Sequence, residues 1–241
     1  MSEVERLKAH VINAVYKADN KTSKAKPKRI NTEIKGFSST RIRHLLNNLC
    51  SLENCNYLDV GSYRGSTVIS AVWDNDATGY AVDTFNFDML SSETTFHPQV
   101  KKALEDLLTV FNIQNKVNII VKDIAKINKK DLNEQLMDVV YYDSSLNAKD
   151  IQSAVKNILP NTKIYSILVF ANTQNSEALA VFEKAIIANL ATIHYSLELK
   201  SRVIGDSNTW WNGVKIFVVE RKRLAEEVIA KQKELKNENS R

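Results

Sequence analysis

Cysteine is scarce in this sequence of 241 residues, which contains only Cys50 and Cys55. Two cysteines are too few for a disulfide-stapled scaffold and suit a reducing compartment, so we expect a cytoplasmic protein. We interpret both as small packing residues of the core rather than as metal ligands. A chain of this length buries a core without such staples, as one domain or at most two.

Long apolar runs are also missing, because no stretch approaches the ~20 consecutive apolar residues that a membrane-spanning helix needs. Residues 1–6 are largely charged and lack the apolar segment of a signal peptide. We therefore expect neither membrane insertion nor a secretory leader.

The net charge of +5 is distributed unevenly along the chain. Residues 1–50 hold 11 Lys and Arg against 4 Asp and Glu, and residues 221–241 hold 7 against 4, which leaves the middle mildly acidic. Basic ends of this kind either contact a nucleic acid or another anionic partner, or remain solvated and passive.

The chain divides into three segments. Residues 1–37 are predicted to form an N-terminal helix and a basic linker, residues 38–222 the main domain, and residues 223–241 a helical tail. A helix over residues 3–19 is indicated by apolar residues at helical spacing, namely Val4, Leu7, Val11 and Val15. Residues 20–36 are rich in lysine and show no apolar period, which is typical of a linker.

Strands and helices alternate through the main domain. Five apolar strands are predicted, at 57–60, 79–83, 117–123, 137–143 and 164–170. Helical segments separate them, including a short helix at about 128–136. Such connections imply right-handed parallel βαβ units, with helices on both faces of the sheet.

The last two predicted strands, 192–203 and 214–220, are separated by only ten residues. Because ten residues cannot hold a crossover helix, this pair is predicted to form an antiparallel hairpin. The expected fold class is therefore α/β, with a seven-stranded, mostly parallel Rossmann-like sheet that closes with a C-terminal antiparallel hairpin.

Residues 57–67, Tyr-Leu-Asp-Val-Gly-Ser-Tyr-Arg-Gly-Ser-Thr, combine the end of a strand, a glycine turn and the start of a helix. Gly61 and Gly65 allow a tight turn and a close approach of a ligand to bare backbone, both of which a Cβ would block. The start of the helix offers unpaired N–H groups to a polar or anionic group. The same spacing also occurs in plain strand-to-helix turns, so this signal alone is weak.

Four aspartates stand at or next to the ends of four successive strands: Asp59, Asp83, Asp123 and Asp143. In an open parallel sheet this edge is where ligands bind. Asp83 is placed to accept hydrogen bonds from both hydroxyls of a ribose. Asp123 could accept a hydrogen bond from the exocyclic amine of an adenine. Asp59 either holds the loop or meets an amine. Each acid alone could cap a helix or face solvent, but together with the glycine turn they predict a nucleoside site.

These landmarks resemble the class I S-adenosylmethionine-dependent methyltransferases over about residues 38–222. Four stretches are similar to the first, adenine-contacting, fourth-strand and closing-hairpin motifs of that family, namely residues 58–66, 122–124, 138–144 and 211–217. Asp83 matches the acidic ribose ligand of the family. The final antiparallel strand separates this pattern from a dinucleotide-binding enzyme that uses NAD.

The resemblance implies methyl transfer from S-adenosylmethionine, with O-methylation of a small molecule or sugar as the leading hypothesis. The transferred methyl group is expected near Ser62, Tyr63 and Asp143. The residues implied to bind the cofactor are Asp59, Gly61, Ser62, Tyr63, Gly65, Asp83, Asp123 and Asp143.

The sequence departs from the family at several positions. The Asn/Asp-Pro-Pro-aromatic motif of enzymes that methylate amino groups of nucleic acids is absent after the fourth strand. Metal-dependent catechol-type members carry Asp-Asn after the fifth strand. Here Asn172 and Asp143 match, but Ala171 replaces the second acid, so we predict no metal. Asp143 and His97 are the candidate proton acceptors, although His97 could instead be a solvent-exposed residue at a helix start.

Two further hypotheses keep the same cofactor. The basic N-terminal segment could hold a nucleic acid or an acidic protein as the acceptor. Related sugar O-methyltransferases often carry a histidine shortly after the fourth-strand Asp, where this sequence reads Ser-Ser-Leu-Asn at residues 144–147. The missing metal ligand and the missing histidine base could therefore mark a cofactor-binding module without catalysis. Trp210 and Trp211 either line an acceptor pocket or pack on the sheet edge.

Overall fold

The computed structural model of the protein describes residues 1–24, 34, 36–87 and 95–223. The predicted tail helix and most of the predicted basic linker lie outside the described residues. Within them, no helix combines the length and the hydropathy that crossing a bilayer requires.

In the described part of the chain, seven strands form one sheet in the order β3-β2-β1-β4-β5-β7-β6. Strands β1 to β5 run parallel, and β7 runs antiparallel to both of its neighbours. The strands are β1 (Cys55–Val60), β2 (Ala77–Asp83), β3 (Val117–Val121), β4 (Met137–Tyr142), β5 (Thr162–Ala171), β6 (Ala191–Leu199) and β7 (Val214–Arg221). The expected fold class is confirmed. Strand β6 ends earlier than predicted, so the loop of the final hairpin spans residues 200–213.

The helices cover both faces of this sheet. They are α1 (Glu3–Asp19), α2 (Thr40–Leu49), α3 (Ser66–Val72), α4 (Pro98–Val110), α5 (Ala148–Ile158) and α6 (Ser176–Ala188). Local chemistry sets several of their starts: the side chains of Ser39, Asn147 and Asn175 each accept a hydrogen bond from a backbone N–H in the first turn of α2, α5 and α6.

The prediction of a short helix at about residues 128–136 is wrong. The chain there forms only a 3₁₀ turn, Lys129–Leu132. Asn133 and Glu134 follow it with φ angles of +50° and +59°. Two consecutive residues in the left-handed region end a right-handed helix, so no second turn forms.

Two apolar layers sandwich the sheet because successive residues of each central strand point to opposite faces. In β1, Tyr57 lies in the layer beneath α1 to α4, whereas Leu58 and Val60 lie in the layer beneath α5 and α6. Cys50 and Cys55 are both free and buried in the first layer, as predicted for packing residues.

Helix α1 belongs to the first of these layers. Its buried residues are Leu7, Val11, Ala14 and Ala18, which pack with α2. The buried face is rotated relative to the predicted one, because Val4 and Val15 are only partly covered. The N-terminal helix therefore shares a core with the rest of the described chain.

Candidate functional site

A cleft opens at the C-terminal edge of β1, β2 and β4 and has two adjoining halves. The first half, of about 410 Å³, lies over the glycine turn and Asp143. The second half, of about 400 Å³, lies between Asp83 and Asp123. The residues that line both halves are Gly61, Asp83, Thr84, Ser144 and Ser145.

Asp83 ends β2 at the junction of the two halves. Its Oδ2 accepts the backbone N–H of Tyr63 and its Oδ1 the backbone N–H of Phe85, both at 2.7 Å. These donors come from the glycine turn and from the segment after β2, so the carboxylate is held from two sides. Each carboxylate oxygen has a second lone pair, which leaves Asp83 able to accept hydrogen bonds from a ligand in the cleft.

Asp59 is fully buried beneath the glycine turn and is not among the residues that line the cleft. Its carboxyl oxygens accept the hydroxyls of Tyr57 and Thr67 at 3.1 and 2.7 Å. The Ser62 hydroxyl, itself at the cleft wall, donates to the main-chain carbonyl of Asp59 at 2.9 Å. Burial raises the pKa of Asp59 to about 7. Of the two roles predicted for Asp59, the geometry supports holding the loop and not contact with an amine of the ligand.

Gly61 and Gly65 adopt φ angles of +88° and +85°, which favour glycine. A Cβ on Gly61 would lie 2.0 Å from the carbonyl oxygen of Asp143, and one on Gly65 2.2 Å from Cδ1 of Leu104. Both glycines therefore let neighbouring parts of the protein pack against the turn, a reason that sequence reasoning missed. Gly61 also lines the cleft, whereas Gly65 starts α3 outside the lining.

Asp143 follows β4 and lines the first half of the cleft. Its Oδ1 accepts a hydrogen bond of 2.6 Å from Nδ2 of Asn172, and its Oδ2 a longer one of 3.4 Å from the Tyr141 hydroxyl. Burial raises the pKa of Asp143 to about 6, and the two hydrogen bonds oppose that rise. The carboxylate is thus ionised at neutral pH but still close to its titration range.

The hydrogen bond to Asp143 ends a chain of amide groups. The Gly205 N–H donates to Oδ1 of Asn212 at 2.7 Å, and Nδ2 of Asn212 donates to Oδ1 of Asn172 at 2.6 Å. The chain joins the ends of β4 and β5 to the start of β7, which the antiparallel hairpin brings to the same edge. Asn212 was not singled out from the sequence, although it lies within the hairpin motif.

The direction of the hydrogen bonds between these amide groups decides whether Asn172 and Asp143 can share a metal ion. A metal ligand would have to present oxygen, but Asn172 turns its N–H toward Asp143. Among the described residues, no group of three or more His, Cys, Asp or Glu side chains could hold a metal ion. The donor set around Asp143 therefore does not fit a divalent cation.

Asp123 and His97 have different surroundings. Asp123 is exposed at the second half of the cleft, where its Oδ1 accepts the Ala125 N–H at 2.8 Å. His97 precedes α4 and is buried, so the solvent-exposed interpretation is wrong. Its Nδ1 lies 3.2 Å from Nε2 of Gln99, and it does not line either half of the cleft. Of the two candidate proton acceptors, the geometry places Asp143 alone in the cleft lining.

Neither tryptophan of the hairpin loop is among the residues lining the cleft. Trp210 is buried, with the Arg41 guanidinium 5.8 Å from its ring centroid. Trp211 packs against the first apolar layer. Both side chains thus follow the packing interpretation.

Comparisons with known proteins give matches in structure but not in sequence. No family model and no curated protein matches this chain. TrmN from Thermus thermophilus superposes with a TM-score of 0.55 at 10% identity, over 81% of this chain and 53% of TrmN. The protein has the class I S-adenosylmethionine-dependent methyltransferase fold.

Two further solved structures share this methyltransferase fold. An S-adenosylmethionine-dependent O-methyltransferase from Thermotoga maritima has a TM-score of 0.52 at 14% identity, over 76% of this chain and 64% of its own. A Pyrococcus horikoshii protein, provisionally described as an RNA methyltransferase, has a TM-score of 0.54 at 11% identity, over 92% of this chain and 100% of its own. This chain spans about half the length of TrmN. The described acceptors differ among these neighbours, so the fold alone does not decide the acceptor.

Proposed function

We propose that this protein binds S-adenosylmethionine in the cleft and transfers its methyl group to a hydroxyl oxygen of a small molecule. The observation that carries the proposal is the continuous lining of the cleft. It runs from the carboxylate of Asp83, held by two backbone N–H groups, past the bare backbone of Gly61 to the carboxylate of Asp143.

The residues present fit such a cofactor. Asp83 can accept charge-assisted hydrogen bonds from the two hydroxyls of a ribose, with Asp123 further along the second half. Among the described residues, the charged side chains that line the first half are those of Asp83 and Asp143, whose carboxylates attract a cationic group such as a sulfonium. The volumes of the two halves lie in the range of small-molecule sites.

When bound, S-adenosylmethionine supplies an electrophilic methyl group, and its transfer to a hydroxyl oxygen leaves a neutral thioether and releases the hydroxyl proton. Asp143 accepts that proton, because it lines the cleft and is largely ionised above its pKa of about 6. Asn172 orients the carboxylate. The walls of the cleft position the two reactants, which supplies much of the acceleration in a reaction of this type.

The other two hypotheses make different predictions. Transfer to a nucleic acid would use the basic ends of the chain, residues 1–50 and 221–241, part of which lies outside the described residues. A binding module without catalysis would retain the cofactor site but show no turnover.

Calorimetric titration with S-adenosylmethionine, S-adenosylhomocysteine and NAD tests the proposal. We expect micromolar affinity for the two sulfur nucleosides and none for NAD. Absence of binding by either nucleoside would overturn the proposal. Binding without methyl transfer to any hydroxyl acceptor would favour the module, and acceptor binding that weakens steeply with salt would favour a nucleic acid.

A further inference from the structure

Three aromatic rings form a row beside the first half of the cleft. Tyr63 lies in the middle, with its ring centroid 5.2 Å from that of Phe37 and 5.8 Å from that of Phe87. All three residues line the cleft. We refer to Phe37, Tyr63 and Phe87 as the aromatic row. Sequence reasoning had singled out only Tyr63, because the two phenylalanines lie outside every recognised motif.

The middle ring of the row is fixed, whereas the outer rings are available. The backbone of Tyr63 is held by Asp83, and the Arg64 guanidinium lies 5.2 Å from the centroid of its ring. Phe37 and Phe87 are 36% and 59% exposed. Two large apolar side chains that remain in water beside a cleft present a surface that a flat apolar ligand would cover.

We propose that the aromatic row binds the planar ring of the methyl acceptor, and that the acceptor is a neutral phenol. This inference rests on the proposed function, because it assigns the acceptor of the same site. Offset or edge-to-face contacts with three adjacent rings would hold a flat aromatic molecule and discriminate against a puckered one of similar size.

The groups across the same half of the cleft favour a phenol over other aromatic compounds. Asp143, Ser144 and Ser145 line the cleft together with the aromatic row. A phenolic hydroxyl ionises near pH 10, far more readily than an aliphatic alcohol, and so suits a carboxylate base. Since the charged lining residues in the described part of the chain are the two acids Asp83 and Asp143, an acceptor that carries its own carboxylate would be repelled.

The row could instead hold the cationic sulfonium of the methyl donor, since aromatic faces attract cations. Removing a ring shows which of the two binds there, because only the ligand that contacts the aromatic row should lose affinity. A sulfonium site would favour S-adenosylmethionine over S-adenosylhomocysteine, whose sulfur is uncharged, and removal of a ring would reduce that preference. An acceptor site would leave the relative affinity of the two nucleosides unchanged.

The test uses 2-naphthol and its saturated counterpart decahydro-2-naphthol as probes, titrated into the full chain with S-adenosylhomocysteine present. The variants are Phe37→Leu and Phe87→Leu, which keep apolar bulk and remove the aromatic face. Phe96→Leu is the matched control, because Phe96 is 48% exposed but does not line the cleft.

We expect the wild-type protein to bind 2-naphthol roughly tenfold more tightly than the saturated alcohol, as stacking contacts of this kind provide. Phe37→Leu and Phe87→Leu should each reduce that ratio several-fold, and Phe96→Leu should leave it unchanged. Equal affinity of the wild type for the two probes, or an unchanged ratio in both cleft variants, would overturn the inference.

Titration of the same proteins with the two nucleosides separates this inference from the proposed function. If the wild type binds neither nucleoside, the proposed function fails and this inference fails with it. If the wild type binds them but shows no preference for 2-naphthol, only the acceptor assignment fails. If the ring variants change the relative affinity for the two nucleosides, the row holds the methyl donor, and the acceptor assignment is again wrong.

Discussion

Asn172 donates a hydrogen bond of 2.6 Å from its Nδ2 to Oδ1 of Asp143. The direction of this bond is set from both ends, because Oδ1 of Asn172 accepts from Asn212 and Asp143 is a carboxylate. The bond stabilises the charged form of Asp143 against the effect of its burial. Asn172 is therefore a positioning residue, which sets both the orientation and the proton affinity of the carboxylate in the cleft.

Replacing Asn172 should raise the pKa of Asp143. In Asn172→Ala the carboxylate loses its shortest hydrogen bond while its burial continues, so its pKa should move above the present value of about 6. Titration of the carboxyl carbon by NMR measures this shift without a known acceptor. Once an acceptor is found, the acidic limb of the pH–rate profile should move to higher pH by the same amount.

Asn212→Ala provides a graded comparison for this prediction. It removes the partner of Asn172 and the acceptor of the Gly205 N–H but leaves the hydrogen bond from Asn172 to Asp143 in place. The pKa of Asp143 should therefore shift in the same direction by a smaller amount. Affinity for S-adenosylhomocysteine should change little in either variant, since neither asparagine lines the two halves of the cleft. An unchanged pKa in Asn172→Ala would show that the hydrogen bond has no influence on the base.

Asp59 should make stability depend on pH in the neutral range. Its pKa is raised from 3.8 to about 7 in the folded protein, so between these values the folded state binds a proton that the unfolded state lacks. Its contribution is fully present at low pH and is lost as pH rises through 7. The free energy of unfolding should therefore fall with rising pH, by at most about 1.4 kcal/mol per pH unit from this group.

Urea unfolding at pH 5, 6, 7 and 8 measures this dependence. Asp59→Asn should flatten the curve, because the amide does not titrate and can still bond to the hydroxyls of Tyr57 and Thr67. Part of the slope should remain, since the raised pKa of Asp143 acts in the same direction. The exposed Asp74 offers a control, and Asp74→Asn should keep the wild-type curve. If the Asp59 variant kept the full slope, the carboxyl would not titrate in this range.

Gly61 should tolerate no side chain. Gly61→Ala would combine the strain of φ +88° with a Cβ 2.0 Å from the Asp143 carbonyl oxygen, which is backbone and has little room to move. We expect a loss of more than about 3 kcal/mol in the free energy of unfolding, since the backbone strain alone costs about 1–2 kcal/mol. Gly205→Ala is the matched control, because φ is +71° there but the nearest atom to its Cβ lies 4.0 Å away.

Gly205→Ala should lose only about 1–2 kcal/mol, the cost of the backbone conformation without a clash. Equal losses at the two positions in chemical denaturation would show that strain, and not the approach of the loop after β4, accounts for the glycine at position 61.

The parallel sheet could be predicted from the sequence because its signals are local. Apolar runs, the glycine turn and helix-forming segments each depend on neighbouring residues, and the short gap before β7 predicted the antiparallel hairpin. The strand-end position of Asp83 followed from the same pattern. The boundary of β6 was less accurate, because its burial alternates and gives a weak signal at its end.

The remaining features of the site depend on contacts between distant segments. Nothing near Asn172 in the sequence indicates that Asn212, which lies 40 positions later, is its partner. Phe37 and Phe87 are separated by 50 positions in the sequence and meet only through Tyr63. Such arrangements arise from tertiary packing, which a single sequence does not display.

Asp83 should dominate the affinity for the nucleoside. Asp83→Asn keeps the size of the side chain but replaces one acceptor oxygen with an N–H donor, which opposes the N–H of Tyr63 or Phe85 and weakens the hold on a ribose. We expect a loss of about 1.5–3 kcal/mol in the binding of S-adenosylhomocysteine, measured by calorimetry. Glu220→Gln removes a carboxylate that bonds to Tyr165 and His194 away from the cleft, and should bind as the wild type does. Equal affinities of the two variants would remove Asp83 from the site.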